Sequence, residues 1–139
     1  MKTVRWAGIV LLAFLAVSAI VGSLPMIADP RGTPWNMPQS LLQYSPFPSF
    51  LFPGIILLVA NGLLALWIMG FALAQLPRHG LWIALQGCVL LGWLITECIL
   101  LRLVNWAHYL YGAVALGLIA AGLLLWRDEN RAEPWGDEI

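Results

Sequence analysis

Charge is what this chain has least of. Only 10% of its 139 residues are Asp, Glu, Lys or Arg, against about 25% in soluble domains, and they are segregated. Residues 6 to 28, 32 to 77, 79 to 96 and 103 to 126 contain none. Stretches of that length cannot make a water-exposed surface, which excludes a soluble globular fold. The 7 Lys and Arg balance the 7 Asp and Glu, and zero net charge removes the electrostatic drive toward nucleic acid. Cysteine is scarce too. Cys88 and Cys98 share one apolar run, and ten residues of helix would hold them about 15 Å apart, beyond the roughly 7 Å Cα limit of a disulfide. With no Cys-x-x-Cys and no neighbouring His, both read as apolar packing residues rather than metal ligands. His-Glu-x-x-His, Gly-x-Ser-x-Gly and Gly-rich phosphate loops are also missing, so local spacing names no catalytic residue, metal site or cofactor.

What is present is apolar: 61% of residues, with a mean hydropathy of +0.85. A hydrocarbon core of about 30 Å needs about 20 such residues per crossing, and residues 6 to 26, 50 to 76, 81 to 104 and 106 to 126 supply four crossings. Lys2 and Arg5 before the first run could open a signal peptide. That run exceeds a usual signal core and has no clear small-x-small site before Leu24, so a retained helix is expected. Pro77-Arg78-His79-Gly80 and Asn105 are short connections, and short links make antiparallel neighbours. The fold class is therefore an all-α, integral-membrane, four-helix up-down bundle.

Four spans place both termini on one side. Lys2, Arg5, Arg78, Arg127 and Arg131 flank that side, against Arg31 and Arg102 on the other, and the positive-inside rule makes it the cytoplasmic face of a plasma (inner) membrane. Trp6, Trp82, Trp106, Trp126 and Tyr109 fall near span ends, as interfacial aromatic belts do. Residues 127 to 139 read as a charged, solvated cytoplasmic tail of disorder-like composition. The long connection, residues 24 to 49, is a Pro/aromatic-rich extracytoplasmic loop. Seven of the nine prolines lie between Pro25 and Pro53, among Trp35, Met37, Tyr44, Phe47 and Phe50, which suggests a rigid cap over the outer mouth with one short helix near Pro38 to Tyr44. Ser45-Pro46 has the form of an N-cap followed by Pro at N1, opening the second span, and Pro53-Gly54 should bend its beginning.

One charge fits neither loop, tail nor span end. Glu97 lies about five residues beyond the middle of the third span, or roughly 7 Å. Ionisable groups in that position are costly and mark functional candidates. Trp82, Gln86, Trp93 and Glu97 share an arc of about 60° on a helix, a polar and aromatic stripe facing the interior. Candidate ligand-binding residues are Glu97, Trp93, His108, Gln86, Tyr109 and, in the loop, Trp35. The competing reading makes Glu97 and Gln86 hydrogen-bonding residues that fix helix packing. Partners for Glu97 must come from another element, such as Asn105, His108, Tyr109, Tyr111, Asp29 or Arg31. On the fourth span, Ala113, Gly117 and Ala121 form a small-residue ridge for close helix approach, a candidate contact for a second copy or a partner membrane protein. Asn61 shares a face with Gly54, Ile68, Ala72 and Gln75 and reads as an interhelical hydrogen-bonder.

Asp29-Pro30-x-Gly32, Ser45-Pro46-Phe47, Phe50-Leu51, Pro53-Gly54 and Gly92-Trp93 with Glu97 following resemble the pattern of a family of small four-helix bacterial membrane proteins of uncharacterised function. The resemblance covers roughly residues 5 to 125 and implies a shared fold without carrying over a site. A looser likeness in size and helix count to DoxX-like proteins is a fold analogy. Three functions fit these residues. The first is a non-enzymatic accessory subunit or binder of a lipophilic ligand at the outer leaflet. The second is proton-linked transport or conduction through Glu97. The third is a membrane enzyme acting on a lipid or isoprenoid with Glu97 and His108 as acid and base.

Overall fold

The structure, a computed structural model, describes residues 2 to 29, 46, 49 to 101 and 106 to 136, without the side chains of 100, 101 and 130 to 136. Trp35, Ser45, Arg31, Arg102, Asn105 and the expected short helix near Pro38 to Tyr44 lie outside the described residues. Among the described residues four helices follow one another: α1 (Lys2–Ala28), α2 (Leu51–Leu73), α3 (His79–Leu101) and α4 (Trp106–Gly136). All four are long and apolar enough to cross a membrane. In the ring each packs on the next and α4 returns to α1, while α1 and α3 hardly touch across the diagonal. Fully buried Leu12, Leu15, Ile68, Ile83, Leu90 and Leu118 fill the centre. Val10, Val17, Ile95, Ile99 and Leu116 stand exposed on the outside, as expected where the surrounding solvent is lipid.

Several boundaries differ from the sequence expectation. Helix α1 continues past Leu24 to Ala28 with Pro25 inside it, and the Asp29 N–H closes on the Pro25 carbonyl at 2.8 Å. Helix α2 begins at Leu51, not at Pro46, which lies in a bend. Phe50 is the N-cap and makes no side-chain capping bond, while Ser49 Oγ, one residue earlier, accepts the Leu51 N–H at 3.3 Å. Pro53 sits in the first turn, where its missing N–H leaves no gap in the ladder. The distortion arrives later, as a π-helical segment at Leu58–Leu63. Helix α4 runs through the charged tail to Gly136, so that tail is helical through this residue.

Contacts at one end of the bundle explain this extension. The Glu129 carboxylate accepts the Arg78 N–H at 2.9 Å and lies 2.9 Å from His79 Nδ1. His79 is buried at the start of α3, with Nδ1 also 2.9 Å from the Leu76 carbonyl. Arg5 donates from Nη1 to the Ala72 carbonyl at 3.1 Å, placing a cation at the C-terminal end of α2 where the helix dipole favours it. The start of α1, the 74 to 78 turn and the α4 extension therefore meet at one end. Glu129→Ala should speed hydrogen exchange at the Arg78 amide by about tenfold, the equivalent of one lost charge-assisted hydrogen bond, as read by exchange mass spectrometry. Unchanged exchange would show that this contact does not hold the turn.

Glycines set the closest helix approaches. A Cβ on Gly80 would lie 2.7 Å from Leu125 Cβ and the Trp126 amide, and one on Gly87 would lie 2.7 Å from the Ala115 carbonyl. On Gly122 it would strike the backbone of Ala84 and Gly80. The α3–α4 seam thus uses Gly80, Gly87 and Gly122 instead of the Ala113, Gly117 and Ala121 ridge. Two members of that ridge are occupied within the chain. A Cβ at Gly117 would come 3.1 Å from Leu11 of α1, and Ala121 Cβ would lie 3.9 Å from a Cβ at Gly8. Only Ala113 is exposed.

Candidate functional site

Helix α3 carries the polar stripe inward, but its two ends do different things. Gln86 is fully buried and donates from Nε2 to the Ala60 carbonyl at 3.1 Å and to Asn61 Oδ1 at 3.3 Å. Both acceptors belong to the π-helical segment of α2, after which the Leu64 N–H reaches back five residues to the Val59 carbonyl. A side chain inserted into the backbone ladder is a recognised cause of such a distortion. Gln86 therefore ties α3 to α2, and Asn61 is its partner. Gln86→Leu should cost about 2 kcal/mol, because the buried Asn61 amide and Ala60 carbonyl lose their partner; unfolding in mild detergent, followed by helical signal against denaturant, would measure it. A variant as stable as the wild type would contradict this role. Trp82, expected at a belt, packs edge-on against Trp67 and Phe71 at 5.5 and 5.8 Å between α3 and α2.

Toward the other end the stripe opens onto a cavity of about 250 Å³. Its wall is mostly apolar, with Leu15, Ala19, Leu57, Leu90 and Leu94, while α3 and α4 contribute Trp93, Glu97, His108 and Tyr111 and α1 contributes Ser18. His108 Nε2 lies 4.0 Å from Glu97 Oε1, with the imidazole 9% exposed and the carboxyl 32%. One turn before Glu97, Trp93 lines the same cavity. Tyr111 is held by stacking on Phe14 of α1, with ring centroids 5.7 Å apart and planes 20° from parallel.

Three of the candidates, Glu97, Trp93 and His108, thus meet in one space. Gln86 does not line it. Tyr109 turns outward at 75% exposure and borders a separate, open apolar groove with Leu91, Ile95, Cys98, Ile99 and Gly112. The α1 wall of the cavity had no ionisable residue to announce it. Its signal is size: Ser18, Ala19 and Gly22 leave room at one level of α1, and such small residues are easily read as packing. Among the described residues, no three His, Cys, Asp or Glu side chains gather as a metal-binding group.

The arrangement can hold an apolar body against leucine walls and meet one polar group with a carboxyl, an imidazole and an indole N–H. That is the usual composition of a small-molecule site. Comparison with protein-family models, with curated proteins and with solved structures found no match to this chain.

Proposed function

We propose that the protein is a membrane-embedded binder of a lipophilic ligand, held near the outer leaflet with its polar group at Glu97 and His108. The supporting observation is their 4.0 Å separation. A direct N–H···O bond needs 2.7 to 3.2 Å, whereas an oxygen about 2.8 Å from each group fits between them. The cavity behind the pair is apolar, so the ligand carries its polar group at one end. The cation count, five against two, puts this end of the bundle on the outer side.

The same approach of a carboxyl and an imidazole also favours a second reading, acid and base acting on a lipid substrate, because both groups reach one reacting oxygen. Turnover of the bound molecule would separate this from binding alone.

Extraction in mild detergent with native lipids, followed by native mass spectrometry, tests the proposal. Wild-type protein should retain one amphiphile per chain. Ser18→Trp, which fills the cavity from its α1 rim, should lose it. Wild-type protein that carries no adduct, or an adduct retained equally by Ser18→Trp, would count against binding in this cavity.

A further inference from the structure

The cavity and the open groove beside Tyr109 share two residues, Leu94 and His108. The groove lies between α3 and α4 on the outside of the bundle, where Ile95 and Ile99 are exposed. Its remaining contributors, Leu91, Cys98 and Gly112, make it almost wholly apolar. His108 and Leu94 therefore form the wall between the two, with the cavity on one side and the lipid-facing groove on the other. An apolar trough divided from a pocket with a polar end by only these two side chains matches a molecule that has a long hydrocarbon tail and a small head.

The chemistry of the head follows from the groups that meet it. Among the described lining residues there is one carboxyl, one imidazole and no Lys or Arg, so a phosphate would meet the Glu97 carboxyl with no cation among these residues to offset it. A hydroxyl suits both partners, since it donates to the carboxyl oxygen and accepts from the imidazole N–H. We propose that the ligand is a neutral, hydroxyl-headed long-chain lipid whose head and first carbons pass His108 to lie in the cavity at Glu97, while the rest of its tail stays in the Leu91, Ile95, Cys98, Ile99 and Gly112 groove. Entry is lateral, from the bilayer. This inference rests on the ligand-binding reading above and adds the chemical class and the route.

Gly112 makes the test clean. A Cβ there meets nothing within 4 Å, and the same holds at Gly92, which lines neither space. Gly112→Phe should fill the groove without disturbing the fold, and Gly92→Phe is its control. Affinities for monopalmitoylglycerol, hexanoylglycerol and palmitoyl lysophosphatidic acid would be measured in nanodiscs by native mass spectrometry. Gly112→Phe should weaken the palmitoyl ester by about tenfold through lost tail contacts and leave the hexanoyl ester unchanged, while Gly92→Phe alters neither. Equal effects on both chain lengths, or none, would overturn the groove assignment while leaving the cavity reading intact. Lysophosphatidic acid binding as tightly as monopalmitoylglycerol would overturn the hydroxyl assignment. Failure of wild-type protein to bind either glycerol ester would overturn the hydroxyl assignment, and an amphiphile retained from native membranes would then identify some other head. Absence of any retained amphiphile as well would overturn the binding reading itself.

Discussion

Valine in place of Gly122 is expected to separate α3 from α4 and to cost about 3 kcal/mol or more. The atoms that a Cβ would strike at this position are the Ala84 amide and the Gly80 carbonyl. Backbone atoms cannot rotate away as a flexible side chain can, so relief requires the two helices to move apart. Moving apart also opens the seam at Gly80 and Gly87, where a Cβ would lie 2.7 Å from neighbouring backbone. Gly112→Val places the same side chain on the same helix in open space, and its effect should stay within about 0.5 kcal/mol. Reversible unfolding of both variants in mixed micelles would give the two values. Similar values for both would mean that the seam does not carry the packing assigned to it.

Glu97→Leu is expected to leave the bundle at least as stable as the wild type while weakening ligand retention by about a hundredfold. A carboxyl on a spanning helix is costly. His108, its neighbour on α4, stands at 4.0 Å, too far for the short hydrogen bond that would repay that cost. Exchanging such a group for an apolar one of similar size should raise stability by about 1 to 2 kcal/mol. A packing role for Glu97 gives the opposite sign. Thermal unfolding and native mass spectrometry on one preparation would separate these cases, since a large loss of stability would assign Glu97 to packing.

Glu97 was legible in the sequence because it breaks a long charge-free pattern, and the short chain between it and His108 made their approach readable as well. Span number and helical class followed from hydropathy and length. Gln86 shows where such signals stop. Its periodicity put it on the Glu97 face, but facing the interior does not say which neighbour a side chain meets, and its partner turned out to be the Ala60 carbonyl in a distorted turn. That distortion lies at Leu58–Leu63, not at Pro53-Gly54, because a first-turn proline needs no hydrogen bond whereas an inserted amide opens the ladder. The small-residue ridge on α4 carried a real packing signal, which α1 meets at Gly117 and Ala121. Spacing along one helix cannot tell whether α1 or a second copy fills it. The groove beside Tyr109 is made by two helices together, and neither one's sequence shows it alone.

A double-mutant cycle on Glu97 and His108 probes whether these two groups hold one ligand atom between them. The affinity of the retained amphiphile would be measured for wild type, Glu97→Gln, His108→Phe and the double variant. A shared ligand oxygen requires a coupling of about 1 kcal/mol or more between the two substitutions. Effects that add to within about 0.3 to 0.5 kcal/mol would show that Glu97 and His108 act on the ligand independently, or not at all.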